Sequence, residues 1–447
     1  MPYLILLFML DIYGWISYMT PRSDFYLFYS QYLVLFGLFY WFWLKTDGWT
    51  FKRLLVVAIA VRLVSIAAIP ELSNDFYRFL WDGELMSQGV NPYAYLPNDL
   101  ISYSQFYHSD YMREVLYHGM GDLSQEHYSC YPVVNQLIFW IPASLFNSVG
   151  PSVIVLKLIL IAADIGAIFF AKKILERLNL PVHKLFALNP LIVLEFSGNL
   201  HFEGVMMFFL LGAIYLLITN RWLASSGMLA LAIQTKLLPL MLLPFVLKHL
   251  KWRRAIGYIA MCTIVVILSG MILLTEEFTG NLLLSVREYF VAFEFNASIF
   301  YVIREIGFAT VGWDPVHYVG PILSVITGAL ILSLAIFRAY RNELDIIKGM
   351  MFAFLIYYLF ATTVHPWYIT GILILSVFTN YKFGLVWSLL VMLSYYAYSN
   401  VGFNESPFFL ITEYVLLYLI LFFEIKWSTR KENYGVQLKE FFSKPDQ

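Results

Sequence analysis

Residues 151–177 read PSVIVLKLILIAADIGAIFFAKKILER. The stretch is apolar for about 20 residues, the length a helix needs to cross a bilayer. It then runs into Lys172, Lys173 and Arg177. An apolar run closed by a basic cluster marks a transmembrane helix that ends on the cytoplasmic side. Two ionisable residues, Lys157 and Asp164, interrupt it. Their spacing of seven puts them two helical turns apart, on one face but out of direct contact. The fold class follows from repeats of this pattern. Comparable runs lie at 3–19, 26–44, 52–70, 184–198, 203–219, 222–234, 237–249, 254–275, 317–338, 346–364, 367–380, 382–399 and 408–425. The expectation is an all-α, polytopic membrane protein with about fourteen transmembrane helices. The pair 222–249 is short for two crossings and could be a broken or re-entrant hairpin.

Composition agrees. Of 447 residues, 60% are hydrophobic and 13% charged, and the mean hydropathy is +0.70. Soluble chains carry roughly 25% charged residues, so this one has too little polar surface for water. Aromatic residues make up 19%, and Trp and Tyr favour membrane interfaces. A net charge of −1 implies no nucleic acid or other polyanionic partner. Cys130 and Cys262 lie in different regions, and no disulfide is expected between them. The apolar N-terminus lacks a basic leader and a small-residue cleavage site, and is expected to be the first transmembrane helix.

Basic residues set the orientation. Lys45, Lys52 and Arg53, then Lys172 to Lys184, Arg221, Lys248 to Arg254, Arg338 to Lys348, Lys382, and Lys426 to Lys431 all fall on one side if the chain starts inside and crosses fourteen times. Both termini are then cytoplasmic. The stretch 133–149, with Asn135 and Pro142, cannot also cross without moving Lys172–Lys184 outside. It is expected to be interfacial or re-entrant. Residues 1–425 form one transmembrane domain, and 426–447 a cytoplasmic tail. The loop 71–132 is outer and acidic, with nine carboxylates from Glu71 to Glu126 against Arg78 and Arg113. Loops this long are usually functional. A second outer segment spans 276–316 and includes Glu276, Glu277 and Glu288.

The candidate chemistry gathers at outer helix ends. Asp75 stands just outside the third apolar run, where partial loss of water raises a carboxylate's proton affinity toward that of a useful base. Arg78 and Asp82 would share its helical face; an interfacial helix anchored by an Arg–Asp pair explains them equally well. Tyr131-Pro132 with Asn135-Gln136 opens the non-spanning segment, as Pro commonly opens helices. His201 and Glu203 fit a sugar's hydroxyls, or merely a polar turn; their spacing is not a helical zinc motif. Lys236 lies between short apolar runs, where a cation is a functional candidate with phosphate as its natural partner, unless it only snorkels to the interface. His365 precedes Pro366, Trp367 and Tyr368, ordinary interface residues. Arg62, Lys157, Asp164 and Glu195 lie inside apolar runs, as packing groups or as part of a substrate path.

The order of these pieces resembles a known family. The run Asn74-Asp75-Phe76-Tyr77-Arg78-Phe79-Leu80-Trp81-Asp82-Gly83, then Gly89-Val90-Asn91-Pro92-Tyr93, is similar to the first outer loop of bacterial polyprenyl-phosphate-mannose-dependent mannosyltransferases of the GT-C class. Tyr131-Pro132 through Gln136, Leu188-Asn189-Pro190, His201 with Glu203, Thr235-Lys236-Leu237 and His365-Pro366-Trp367-Tyr368 follow in family order, over about residues 50–370. Two departures stand out. No Asp-x-Asp pair occupies 73–75, which argues against a metal-bound nucleotide-sugar donor, and Val133 replaces a second Pro.

The resemblance implies an inverting transferase at the outer face of a bacterial inner membrane. It would move a sugar, mannose, from a polyprenyl phosphate to a lipid or glycan acceptor. Asp75 would be the general base, with Arg78, Lys236 and His365 on the donor phosphate. Tyr77, Trp81, Asp82, Asn91, Tyr93, Tyr131, Gln136, His201, Glu203, Trp367 and Tyr368 would bind sugar or acceptor. No cofactor is required, although a divalent ion could bind Asp75 with Glu203. The alternative is a transporter or flippase of lipid-linked sugars, which predicts polar groups through the midplane and internal repeats.

Overall fold

Several apolar runs become long helices here, even Val316–Phe337 with Pro321 inside it, while others are short or broken. The computed structural model describes residues 1–46, 48–181, 186–271, 273, 276–291, 293–400 and 402–442, except for the side chains of 276, 277, 279, 286, 288–291 and 427–442. Lys184 and the side chains of Glu276, Glu277, Glu288, Arg430 and Lys431 therefore lie outside the described residues. The chain is 75% helical. Among the described residues there is no strand, only an isolated backbone pairing of Phe295 with Thr363.

Among the described residues, five helices are long and apolar enough to cross a membrane: Phe25–Lys45, Val149–Arg177, Trp252–Gly270, Val316–Phe337 and Pro407–Lys426. A sixth forms if Pro190–Gly198 and Glu203–Ile218, bent by 113°, count as one span. The other apolar runs are shorter or broken. Pro2–Tyr18 has 17 residues, Phe51–Leu63 13 and Trp222–Thr235 14. Pro239 and Pro244 break the 238–249 run into two short helices. Glu343–Phe360 is 18 residues long but opens with Glu343, Asp345 and Lys348. By length and apolarity alone the described helices thus give five to six spans, where the hydropathy runs suggest fourteen.

The connections sort to two ends. At one, Lys172 lies over Phe51, Lys248 donates to the Arg338 carbonyl at 2.9 Å, and the Lys382 and Phe383 amides donate to Glu424. At the other, Arg22 lies over Tyr398, Lys236 pairs with Glu203, and His201 and His365 both stack on Trp367. The loop 71–132 packs at this second end as a small unit. Its Asp75–Ser87 and Asp110–Gln125 helices enclose Phe76, Phe79, Trp81, Leu116 and Met120 against Phe139 and Phe202.

Val133–Leu145 is a separate 13-residue helix, opened by Pro132 and containing Pro142, and it ends before the Val149–Arg177 helix begins. Its contact with Asp75–Ser87 is close. A Cβ on Gly83 would stand 2.3 Å from the Phe139 carbonyl oxygen.

The charges inside the apolar runs serve the bends. Arg62 Nε meets Asp164 Oδ2 at 2.6 Å, and its Nη1 donates to the Ala58 and Ala187 carbonyls. Lys157 donates to the Ser65 carbonyl at 2.6 Å. Lys157 and Asp164 thus take different partners. In hydrocarbon an unmet carbonyl is costly, and side chains that supply the missing donor let a helix end there. Both cysteines are free thiols.

Candidate active site

Asp75 is the first residue of its helix. Asn74 holds the approach by donating from Nδ2 to the Gly119 and Met120 carbonyls at 3.3 and 3.1 Å. Ser73 Oγ accepts from the Asp75 amide at 3.3 Å. The carboxylate itself takes no hydrogen bond from any described residue and stays half-buried. Burial raises its proton affinity above the ordinary carboxylate range. The charges of His201, Lys236 and Arg22 pull it back down, and Glu203 pushes it up. Three chain segments distant in sequence therefore lie within electrostatic reach of one carboxylate.

The bend at 199–202 builds the second part. Leu200, fully buried, sits at φ +64°, a left-handed conformation that costs an L residue roughly 1–2 kcal/mol. The strain persists because the flanking backbone is hydrogen-bonded: the Asn199 amide donates to Leu194 O and the His201 amide to Glu195 O. Just before the bend, Val193–Gly198 is π-helical, a distortion common at functional sites. Glu195 accepts there from the Tyr395 hydroxyl at 2.9 Å and from Asn199 Nδ2 at 3.3 Å. Just after it, Glu203 opens the next helix, where a carboxylate suits the positive end of the helix dipole.

Glu203 is fully buried and pairs with Lys236, whose Nζ also lies 5.1 Å from the Tyr368 ring centroid. Asn135 Nδ2 donates to the Thr235 carbonyl at 2.9 Å, so the short Val133–Leu145 helix fixes the backbone beside Lys236. His201 stacks on Trp367 at 3.6 Å and His365 on the same indole at 4.4 Å. His201 Nε2, His365 Nδ1 and Glu203 Oε2 are buried with no hydrogen-bond partner among the described residues. His201 Nε2 is 3.3 Å from Glu195 Oε2, but not in hydrogen-bonding geometry. Buried polar atoms are normally satisfied, so three orphans in one cluster invite a polar ligand.

The structure thus brings Asp75, His201, Glu203, Lys236, His365, Trp367 and Tyr368 together. The remaining residues singled out in the sequence belong to the loop's own framework. Arg78 is buried, with Nε on Asp82 Oδ1 at 2.8 Å and Nη1 donating to both the Ser124 and the His127 carbonyls. Asp82 Oδ2 accepts from Ser129 and Gln136. Trp81 packs on Tyr107 at 4.8 Å, and Tyr77 against Phe76 and Gly119. Asn91 caps the Tyr93 amide and donates to Leu273 O; the Tyr93 hydroxyl donates to Tyr131 O. The Tyr131 ring sits edge-on to Phe79. The framework still adjoins the centre. Burial pushes the Cys130 thiol up to about 11, and the charges of Arg78, Asp75, Asp82 and Lys236 all reach it.

Sequence reasoning missed Arg22, Tyr395 and Tyr398, and left Glu195 among the buried charges. A basic residue in a connection assigned to the outer side breaks the orientation pattern, and that exception was the available signal for Arg22. Among the described residues, no three His, Cys, Asp or Glu side chains form a metal-binding group.

The family model described as alpha-(1→6)-mannopyranosyltransferase, N-terminal domain, matches residues 14–253, over half of the chain. That range contains Arg22, Asp75, His201, Glu203 and Lys236. No curated protein and no solved structure matches the chain. On the family match, this helical membrane protein belongs to the alpha-(1→6)-mannopyranosyltransferase family and is a mannosyltransferase of the GT-C type.

Proposed function

We propose that the protein moves a mannosyl group from a polyprenyl-phosphate donor to a primary sugar hydroxyl of a lipid or glycan acceptor, forming an α-(1→6) bond. The half-buried Asp75 carboxylate carries this reading. It has free lone pairs, a raised proton affinity, and cations beside it. It accepts the acceptor's proton as general base. The acceptor oxygen bonds to the anomeric carbon, and the bond from that carbon to the phosphate oxygen breaks with its electron pair left on phosphate. Lys236 and His365 meet the charge that develops there. The unpartnered His201, His365 and Glu203 atoms offer the bound sugar hydroxyls partners, and Trp367 and Tyr368 offer apolar faces. Arg78 and Asp82 hold the loop that carries Asp75.

The reaction sits at the outer face of a bacterial inner membrane, since the connections that meet at Asp75 are those that the basic residues leave outside. Transport without chemistry loses its main support, because Arg62, Asp164 and Lys157 bind one another or backbone carbonyls at helix bends.

Inversion fixes the donor's configuration. An inverting enzyme that forms an α bond consumes a β-linked phosphate. Purified protein given the β and α anomers of polyprenyl mannosyl phosphate should use the β anomer alone and release an α-mannosidase-sensitive product. Use of the α anomer with retention would remove both inversion and the role of Asp75 as base.

A further inference from the structure

Arg22 lies in the short connection between the Pro2–Tyr18 and Phe25–Lys45 helices, at the same end as Asp75. Its guanidinium is 5.4 Å from the Tyr398 ring centroid. Tyr398 packs on Phe295, and Phe295 lies 4.8 Å from His365. Arg22 thus stands on the aromatic wall that leads to the stacked imidazoles, and its charge reaches Asp75. The other cations around the site are matched: Lys236 by Glu203, Arg78 by Asp82, and Arg62 by Asp164. Arg22 is half-exposed, and among the described residues no carboxylate pairs with it and no side-chain hydrogen bond holds it. Its connection is open, with Pro21, Ser23 and Asp24 exposed beside it. Met19 is 66% exposed and Tyr26 70% exposed on either side of it. A free guanidinium rimmed by exposed apolar side chains suits a phosphate attached to a lipid better than a free ion.

We propose that Arg22 binds the phosphate of the lipid-linked donor and stabilises the charge which that phosphate gains as the glycosidic bond breaks. This rests on the lipid-phosphate reading above and assigns to Arg22 the role that the family resemblance implied for Arg78. The planar fork of a guanidinium can hold two phosphate oxygens at once. Lys236, whose charge Glu203 already balances, contributes less net charge at that phosphate.

The test compares native protein with Arg22→Gln and Arg22→Lys, using labelled polyprenyl mannosyl phosphate as donor and polyprenyl phosphate or inorganic phosphate as competitor. The expected result is a loss in kcat of about 100-fold for Arg22→Gln, the scale seen when one preorganised donor at a developing charge is removed. Competition by polyprenyl phosphate should weaken alongside, Arg22→Lys should keep part of both, and inorganic phosphate should compete poorly with the native protein. Arg22→Lys, which retains the charge on an exposed connection, carries the test if Arg22→Gln does not fold. Native kcat and native competition in the folded Gln variant would overturn the assignment while leaving the donor reading intact. Equal competition by inorganic phosphate would overturn the lipid source. A native protein that neither uses the donor nor responds to polyprenyl phosphate would overturn the donor reading and this proposal together.

Discussion

Asp75 depends on its neighbours for its chemistry. Burial raises its proton affinity, and the balance of Arg22, His201 and Lys236 against Glu203 limits that rise. If Asp75 is the base, as proposed, it must be ionised to act, so transfer should fall on the acid side at a pH above the ordinary carboxylate range. Replacing Lys236 by Met removes a lowering charge and leaves Glu203 unbalanced. The acid limb of kcat/KM should then move to higher pH, and a limb that stayed put would mean another group sets it. The same raised proton affinity implies a stability cost. A carboxyl that binds its proton more tightly when folded stabilises the fold at low pH and loses that contribution as pH rises through the folded value. Asp75→Asn should therefore raise the unfolding temperature at neutral pH and lose the advantage in acid. Asp75, Lys236 and the two histidines were legible in the sequence because polar groups at the ends of apolar runs are costly without a purpose. The part played by Arg78 was not legible, because an i, i+4 Arg–Asp pair fits an anchor and a catalytic face equally well, and the Ser124 and His127 carbonyls that support an anchor are distant in sequence.

At the scale of elements, the short Val133–Leu145 helix ties the loop that carries Asp75 to the bundle. It touches Asp82 through Gln136, Thr235 through Asn135, and Gly83 through its own backbone. The basic cluster from Lys172 onward gave the expectation that this segment does not cross, and its helix has 13 residues, fewer than the about 20 of a crossing. The breaks were less legible. Hydropathy reports that 184–219 is apolar but not that it bends by 113° at a buried Leu200 with positive φ, because a bend leaves no trace in an average over side chains. The close approach at Gly83 was likewise invisible, since it depends on a partner fifty-six residues on. Gly83→Ala should destabilise the purified protein by about 1–3 kcal/mol, as overpacking does. Unchanged thermal unfolding would mean that the two helices are not in that contact.

For the whole molecule, the distribution of basic residues was the strongest guide. It divided the connections into two sets, and the members of each set meet one another in space: Lys248 with Arg338, and Lys236 with Glu203. That division does not require every apolar run to be a full-length helix, and among the described residues the fourteen runs correspond to five or six long apolar helices. A protein with Cys130 and Cys262 replaced by Ser provides the check. In that background, Asp99→Cys should react with an impermeant thiol reagent on intact cells, and Arg341→Cys only after the membrane is opened. Labelling of both from the same side would break the alternation on which the placement of the site depends.

The most direct test of the account is transfer from labelled polyprenyl mannosyl phosphate by native protein and by Asp75→Asn. Asparagine keeps the shape of the side chain but cannot take up the acceptor's proton. The account predicts transfer by the native protein and a loss of about 100-fold or more in a variant that folds at least as stably, within the range removed with a general base. Equal transfer by both proteins would contradict it and shift the search for the base to Glu203.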